Sequence, residues 1–414
     1  MPKKISIDEL RPGMFVERFG GGWLHHPFLF NRKEIKSLKE VERLRSWGVN
    51  TLYVADLDAA GREVQAGPAV ADAPAAPALS PPGESEELAQ ELQLDYQVRR
   101  VPLRHELARA RQVRIQAHRA ARNILATVQA GGRIRTEEAR VAVAGLDSSV
   151  QQNRDALLVL MQLRKRDEYT FDHSVSVGVL LLALCRSMGL DDETTRSIGL
   201  GGLLHDVGKM AVPLEILNKP GALNDDEYLR MKEHVVRCQD ILTTTHNIPM
   251  DVVRIATEHH ERFDGTGYPH GLAGKGISLG GQMAAIADVF DALTSDRCYR
   301  NGIDRVEVLR RIYGWRQDHF NEALVHRFIR CIGIYPVGTL VQLESGLIGV
   351  VVESTGNLLR PVVRVIYDTR HEWPVHERDI DLSRPDGKGG GDRIVGYESV
   401  QRWRINPLKV LGIL

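Results

Sequence analysis

The stretch GGLLHDVGK, residues 201–209, places an imidazole and a carboxylate, His205 and Asp206, side by side among small and apolar residues. Burying such a pair is costly unless both groups find a partner. Adjacent side chains on a helix point about 100° apart, so the two groups either bind one metal ion or splay so that the carboxylate bridges two. A His-Asp dipeptide is a weak signal by itself, and a surface pair would explain it better.

Further candidate ligands lie on both sides of this dyad. Six of the fifteen histidines fall between residues 173 and 260, about twice the number that an even spread would place there. Together with two aspartates, five of them provide enough nitrogen and oxygen ligands for two six-coordinate ions, with water in the remaining positions. Ligands without thiolate suit iron, manganese or zinc, and mixed octahedral sites favour iron or manganese. The candidate metal ligands are His173, His205, Asp206, His234, His259, His260 and Asp288.

Composition excludes several classes of protein. Lys plus Arg and Asp plus Glu both number 54, so no broad field favours DNA, RNA or an anionic membrane. The four cysteines form no CxxC pair, which argues against a disulfide framework and predicts a reducing, cytoplasmic location. The start MPKKISIDEL lacks an apolar signal region, and the longest apolar run, Val179 to Cys185, is too short to insert in a membrane.

The chain length of 414 residues predicts two or three domains. Short alternating runs at the start predict a small α+β module, and strand-like runs such as LIGVVVES predict a β-rich C-terminal region. Between Gly67 and Gly83, five prolines and six alanines in 17 residues indicate an extended linker. The predicted fold class is mainly α, with an α+β module (1–66), a Pro/Ala linker (67–83), a helical lead-in (84–164), an all-helical catalytic domain (165–334) and a β-rich region (335–414).

The lead-in contains an arginine-rich helix over Leu103–Val128, ended by Gly131 and Gly132. We expect its arginines to be solvated or paired with nearby glutamates, and a partner surface is the less favoured interpretation. Thr136, followed by Glu137 and Glu138, is the expected N-cap of the next helix.

Four motifs carry a family resemblance. YTFDHS (169–174), LLHDVGK (203–209), EHHERFDGTGYP (258–269) and IADVFDALTSDRCYR (286–300) occur in order and resemble the HD-GYP domain, a branch of the HD phosphohydrolase superfamily. The resemblance covers about residues 165–335. The first 60 residues, with ELRPGMFVERF (9–19), resemble a small domain of unassigned role that often precedes HD-GYP domains.

The resemblance implies an all-α phosphodiesterase that hydrolyses cyclic di-GMP at a binuclear or trinuclear metal centre, and so lowers a bacterial second messenger. It implies one metal held by His173, His205, Asp206 and Asp288, and a second held by His234, His259 and His260. Asp206 would bridge the two, and Asp291 would lie behind the ligands. It also implies that Lys209 contacts the scissile phosphate, and that Tyr268, Arg297 and Arg300 grip the nucleotide.

The chain departs from the family pattern at some positions. Where some members have a glutamate four residues before the first ligand histidine, this chain has Tyr169. The adjacent Glu168 is off that helix face by about a quarter turn, so we predict a binuclear centre. Ser278–Gln282 replaces a usual proline and arginine, and Cys298 a common proline, which predicts a weaker network around the phosphate.

Two other functions remain open on sequence grounds. One is a receptor that binds cyclic di-GMP, turns it over slowly or not at all, and signals through its N-terminal module. The other is an HD-type hydrolase of a deoxynucleotide or a related cyclic dinucleotide; the GYP loop argues against the deoxynucleotide. The sequence also permits a homodimer through the lead-in helices and a protein partner at the N-terminal module, and it does not distinguish the linear dinucleotide from GMP as product.

Overall fold

A computed structural model describes residues 3–20, 33–35, 38, 41–42, 45, 51–54, 101–163, 169–219, 223–295, 302–384 and 391–414. The chain divides into two compact units, residues 1–77 with 214–230, and residues 78–213 with 231–414. The predicted linker and the lead-in before residue 101 lie outside the described residues. The domain boundaries given above therefore stay predictions.

The first unit contains an antiparallel sheet of four strands, in the order β1-β4-β2-β3. The strands are β1 (Lys3–Ser6), β2 (Phe15–Gly20), β3 (Lys33–Glu34) and β4 (Thr51–Val54). Alternation along the strands buries one face, so Ile5, Val16 and Leu52 lie in one apolar cluster. Leu38 and Val41, between β3 and β4, are helical. The predicted α+β character is confirmed.

Helices dominate the rest of the described chain, as predicted. They are α1 (Leu103–Gln129), α2 (Thr136–Leu160), α3 (Tyr169–Ser187), α4 (Asp192–Leu204), α5 (Leu214–Leu217), α6 (Asp225–Thr243), α7 (Met250–Glu258), α8 (Leu279–Thr294), α9 (Arg305–Gly314) and α10 (Glu322–Ile332). Two short helices, α11 (Val400–Trp403) and α12 (Pro407–Val410), end the chain.

Helix α3 is the central helix of the second unit. Its run Val179–Cys185 is apolar all round and at most 1% exposed, so the helix must be surrounded by others. It packs against α2, α4, α8 and α10. His173 lies in the early part of this buried helix, which gives it a rigid support.

The C-terminal region forms a second antiparallel sheet, in the order β8-β7-β6-β5-β9. Its strands are β5 (Leu340–Leu343), β6 (Leu347–Glu353), β7 (Val362–Asp368), β8 (Trp373–Asp381) and β9 (Ile394–Tyr397). Leu340, Ile348 and Val350 form its core, against which Trp403 and Val410 of the last helices pack. The predicted β-rich region is confirmed. No helix among the described residues combines the length and the apolar character needed to cross a bilayer.

One local expectation for the lead-in was wrong. Thr136 is the first residue of α2 rather than its cap, and its hydroxyl donates to the carbonyl of His246, 2.9 Å away. The arginines of α1 are mostly exposed, as expected of a solvated face, and three of them also bond to other parts of the fold. Arg109 donates to Ser148 Oγ at 2.6 Å, Arg111 to Ile413 O at 2.7 Å, and Arg114 to Asp172 Oδ1 at 2.7 Å.

Candidate metal centre

Six side chains converge in two groups of possible metal ligands. His173, His205 and Asp206 form the first cluster, and within it the ligand atoms lie within 4.8 Å of one another. His234, His259 and His260 form the second cluster, to the same limit. The members come from helices α3, α4, α6 and α7 or from the residues that directly follow them. Candidate ligands that are far apart in the sequence therefore lie close together in the fold.

The turn after α4 brings the two clusters together. The helix ends at Leu204, and a 3-10 turn over Val207–Ala211 follows Asp206. Within that turn Gly208 packs directly on α6, because a Cβ placed there would lie 2.0 Å from the carbonyl oxygen of His234. Only glycine permits this approach.

Cys238, one turn beyond His234, fastens the same contact. Its Sγ accepts the Gly208 N–H at 3.1 Å and donates to the His205 carbonyl at 3.0 Å. Burial raises the pKa of the Cys238 thiol above its usual range, so it stays protonated. The thiol thus forms hydrogen bonds with the backbone and is not a candidate metal ligand.

Asp206 lies between the two clusters, and each of its oxygens faces one of them. Oδ2 is 3.3 Å from Nε2 of His205 and 3.5 Å from Nε2 of His173. Oδ1 is 3.5 Å from Nε2 of His234 and 3.8 Å from Nε2 of His259. A single carboxylate can therefore serve both clusters at once.

The histidine rings are fixed through the nitrogen that faces away from the centre. Three Nδ1 atoms bond to the carbonyl three residues earlier, His205 to Gly202 at 2.8 Å, His234 to Met231 at 2.6 Å and His259 to Ala256 at 2.9 Å. Because a carbonyl only accepts, Nδ1 carries the proton and Nε2 keeps its lone pair. The rings thus present Nε2 toward the centre in the form that ligates a metal ion.

The atoms that face the centre fit a metal ion. Nε2 of His205, His234 and His259 and Oδ1 of Asp206 are buried and have no hydrogen-bond partner. Buried polar atoms left this way are costly, and a cation would satisfy all four. Asp288 of α8 adds a second carboxylate, with Oδ1 3.0 Å from Nε2 of His173. The donor set of neutral imidazoles and carboxylates suits a divalent ion.

Comparison with known proteins agrees with this geometry. A family model described as an HD domain matches residues 158–324, and a domain of unknown function matches residues 2–139. A cyclic di-GMP phosphodiesterase of Pseudomonas aeruginosa is 39% identical over 412 residues, which cover 99% of this chain and 95% of the relative. The chain belongs to the HD-GYP family.

Shorter matches come from other bacterial phosphodiesterases. A 3′3′-cGAMP-specific phosphodiesterase of Vibrio cholerae is 41% identical over 154 residues, 37% of this chain and 36% of that protein. A cyclic di-GMP phosphodiesterase of Thermotoga maritima is 35% identical over 166 residues, 40% of this chain and 45% of that protein. The family and the cluster of ligands together indicate a divalent metal centre in this HD-GYP chain.

Protonation states in the HD-GYP site also suit metal binding. Burial lowers the pKa of His234 to about 4 and that of His260 to about 3, and it holds the pKa of His259 well below its usual range. Burial raises the pKa of Asp206, but the adjacent His205 ring and the ammonium group of Lys209 outweigh that effect and hold the pKa well below its usual range. At neutral pH these three histidines are neutral and Asp206 is ionised, as metal ligands must be.

Lys209 and Tyr268 lie at the edge of the metal centre. The ammonium group of Lys209 donates to Asp206 Oδ2 at 2.5 Å. The Tyr268 ring stacks on the ring of His260, with centroids 4.8 Å apart and planes 27° apart. Arg297 and Arg300 of the HD-GYP motif, Cys298 and the acidic candidate Glu168 lie outside the described residues, so their predicted roles stay predictions.

Ser278 and Gln282, two of the residues that depart from the HD-GYP pattern, lie where the glycine-rich loop between α7 and α8 meets α8. Ser278 caps α8 by accepting the Gly281 N–H at 3.1 Å. Gln282 donates to the Ile277 carbonyl at 2.8 Å and accepts from Asn321 at 2.9 Å. These side chains therefore bond within the protein and hold the loop in place.

Sequence reasoning missed four residues around the HD-GYP centre. Lys232 of α6 places its ammonium group 5.7 Å from the centroid of the Tyr268 ring. Glu258 and Glu261 flank the ligand pair and are buried, and Cys238 fastens the His205 turn. The sequence could have pointed to the two glutamates, because charged residues next to buried ligands must themselves be paired with a hydrogen-bond donor.

Proposed function

We propose that this chain hydrolyses cyclic di-GMP at a centre of two divalent metal ions and so lowers the concentration of a bacterial second messenger. The observation that carries the proposal is the position of Asp206, whose two oxygens face two separate clusters of histidines. The full-length similarity to a cyclic di-GMP phosphodiesterase supports the substrate.

The residues assigned to each ion follow from the two clusters. The first ion would be held by His173, His205, Asp206 and Asp288, and the second by Asp206, His234, His259 and His260. When bound, two such ions would neutralise the charge of the phosphodiester and would lower the pKa of a water molecule toward neutrality. Ligands of nitrogen and oxygen without thiolate favour iron or manganese, although other divalent metals fit the same donors.

Lys209 is proposed to contact the scissile phosphate. Its ammonium group already lies at the carboxylate that joins the two clusters, so a phosphate bound there would be within its reach. A compact positive charge at that point stabilises the negative charge that develops on the phosphate oxygens during hydrolysis.

Tyr268 is proposed to bind a guanine base. Its ring lies next to a ligand histidine, so a base stacked on it would place the neighbouring phosphate near the centre. Aromatic stacking of a base contributes roughly 1–3 kcal/mol. Arg297 and Arg300 are also proposed to bind the nucleotide, on the basis of their motif alone.

The receptor function gains no support, because the predicted metal ligands all meet in the fold. The described cysteines Cys185, Cys238 and Cys331 are free and buried, which is compatible with the proposed reducing, cytoplasmic location. A homodimer and a protein partner at the N-terminal module stay proposals without further support.

The test is an assay of turnover. The protein is purified without oxygen, loaded with Fe(II) or Mn(II) and incubated with cyclic di-GMP, and the products are separated by chromatography. We expect metal-dependent formation of the linear dinucleotide or GMP, and its loss in Asp206→Ala. Asp240→Ala is the matched control, because that carboxylate is 61% exposed on α6.

Other outcomes would overturn parts of the proposal. Binding of cyclic di-GMP without turnover would make the protein a receptor. Undiminished activity of Asp206→Ala would refute the metal mechanism. Faster turnover of 3′3′-cGAMP than of cyclic di-GMP would change the assigned substrate.

A further inference from the structure

Two buried glutamates enclose the adjacent ligands of the second cluster, in the order Glu258, His259, His260, Glu261. Glu258 is 8% exposed and Glu261 is 2% exposed. Neither belongs to the two clusters of ligands among the described residues. Since an ionised carboxylate is expensive to bury, each must be satisfied by something other than the metal centre.

Backbone N–H groups of the glycine-rich loop satisfy both carboxylates. Glu261 Oε1 accepts from His270 at 2.7 Å, and its Oε2 accepts from Leu272 at 3.0 Å. Glu258 Oε2 accepts from Ser278 at 2.7 Å, at the far end of the loop. The two glutamates therefore hold two different points of one loop against the pair of ligand histidines.

The loop also packs on the backbone of Glu261. A Cβ at Gly267 would lie 2.4 Å from Glu261 Cα, so the chain passes too close for any side chain. The next residue, Tyr268, donates its N–H to the carbonyl of His260 at 3.2 Å. Close packing at Gly267 thus holds the chain just before Tyr268, and the carboxylate of Glu261 holds the chain just after it.

We propose that Glu261 is a positioning residue that sets the Tyr268 ring against His260 and so prepares the site for the base of the substrate. The inference rests on the proposed function, because it assigns a consequence for binding of cyclic di-GMP. Both oxygens of Glu261 accept from backbone donors of the loop, and the residue lies outside the two clusters of candidate ligands among the described residues. Its effect passes through the loop.

The test compares Glu261→Gln with Glu258→Gln in the full-length, metal-loaded protein. Glutamine keeps the size of the side chain but offers one acceptor oxygen where Glu261 uses two, so one backbone donor loses its partner. Hydrogen exchange followed by mass spectrometry should show faster exchange of the peptide covering residues 262–273 in Glu261→Gln. Glu258→Gln should leave that peptide nearly unchanged and accelerate exchange around Ser278.

Kinetics provide the second measurement. We expect Glu261→Gln to raise KM for cyclic di-GMP at least about tenfold, because the loss of a hydrogen bond to a charged acceptor changes an equilibrium constant by about that factor. We expect kcat and metal content to change little. Glu261→Asp keeps the charge and both acceptors, so it should recover part of the lost affinity. Glu261→Asp can also replace Glu261→Gln in this test if Glu261→Gln does not fold.

Three results would overturn the inference. Unchanged exchange of residues 262–273 in Glu261→Gln would show that the carboxylate does not hold the loop. Loss of metal together with a fall in kcat would assign Glu261 to support of the ligands. An unchanged KM would remove the link to the substrate. If the wild-type protein does not hydrolyse cyclic di-GMP at all, the proposed function fails, but hydrogen exchange still tests the contact of Glu261 with the loop.

Discussion

Asp291 Oδ2 lies 2.8 Å from Nδ1 of His173, and both side chains are at most 3% exposed. The opposite nitrogen of the ring, Nε2, faces Asp206 and Asp288. Asp291 therefore does for His173 what backbone carbonyls do for three other histidines, and it lies behind the candidate ligands as the family resemblance implied. It fixes the orientation and the tautomer of the ring.

Replacing this carboxylate should weaken metal binding. We expect Asp291→Asn to lower the affinity of the first cluster for Mn(II) roughly 10- to 100-fold, because the amide no longer holds the Nδ1 proton with a charged acceptor. Titration of the metal-free protein with Mn(II) measures the change. Asp240→Asn on the exposed face of α6 is the control, and an unchanged affinity of Asp291→Asn would contradict the role given to this contact.

The close approach at Gly208 predicts a large effect from one methyl group. Gly208→Ala should destabilise the protein by about 2 kcal/mol or more and lower its metal content, because α6 must move and carry His234 with it. Thermal unfolding and elemental analysis measure both effects. Gly276→Ala is the matched control in another 3-10 turn, since a Cβ there meets nothing within 4 Å. Equal stability of the two variants would argue against the packing described here.

Two variants separate the ring of Tyr268 from its hydroxyl. Tyr268→Phe keeps the stacking on His260 and should change KM for cyclic di-GMP by less than about threefold, whereas Tyr268→Ala should raise KM roughly tenfold or more. Initial rates over a range of substrate concentrations measure both. If Tyr268→Phe is as damaging as Tyr268→Ala, the hydroxyl is the group that matters and the stacking role is wrong.

The metal-free protein should lose stability in weak acid. The pKa of His234 is lowered by burial from 6.5 to about 4, so between these values the unfolded chain binds a proton that the folded chain does not. This ring stabilises the folded state fully above pH 6.5, and its contribution falls by roughly 3 kcal/mol as the pH reaches 4. Denaturant unfolding with a chelator present, at several pH values, measures the decline. A free energy of unfolding that stays constant over this window would contradict the assignment.

Much of the site was predictable from the sequence. The group of histidines between residues 173 and 260, the absence of thiolate pairs and the family resemblance predicted an all-helical domain with His173, His205, His234 and His259 in one centre, and these residues lie close together there. Local pattern sufficed because each ligand lies in or directly after a helix whose apolar face fixes where its side chain points.

Contacts between segments that are distant in the sequence were harder to predict from the sequence. Thr136 was predicted to cap α2, but the residue that binds its hydroxyl, His246, lies more than a hundred positions away. The arginines of α1 follow the same rule, since Arg111 bonds to Ile413 at the end of the chain. A hydrogen-bond partner from a distant segment produces no pattern in the sequence around the residue that it bonds to.

The sequence by itself indicated which side chains are candidate metal ligands, because ligand type is a property of the side chain. Only the tertiary structure decided that the two oxygens of Asp206 face different clusters and that Glu258 and Glu261 serve the loop and not the ions. The physical reason is that a buried carboxylate takes whichever donors the packing brings to it, and packing is settled by the whole fold.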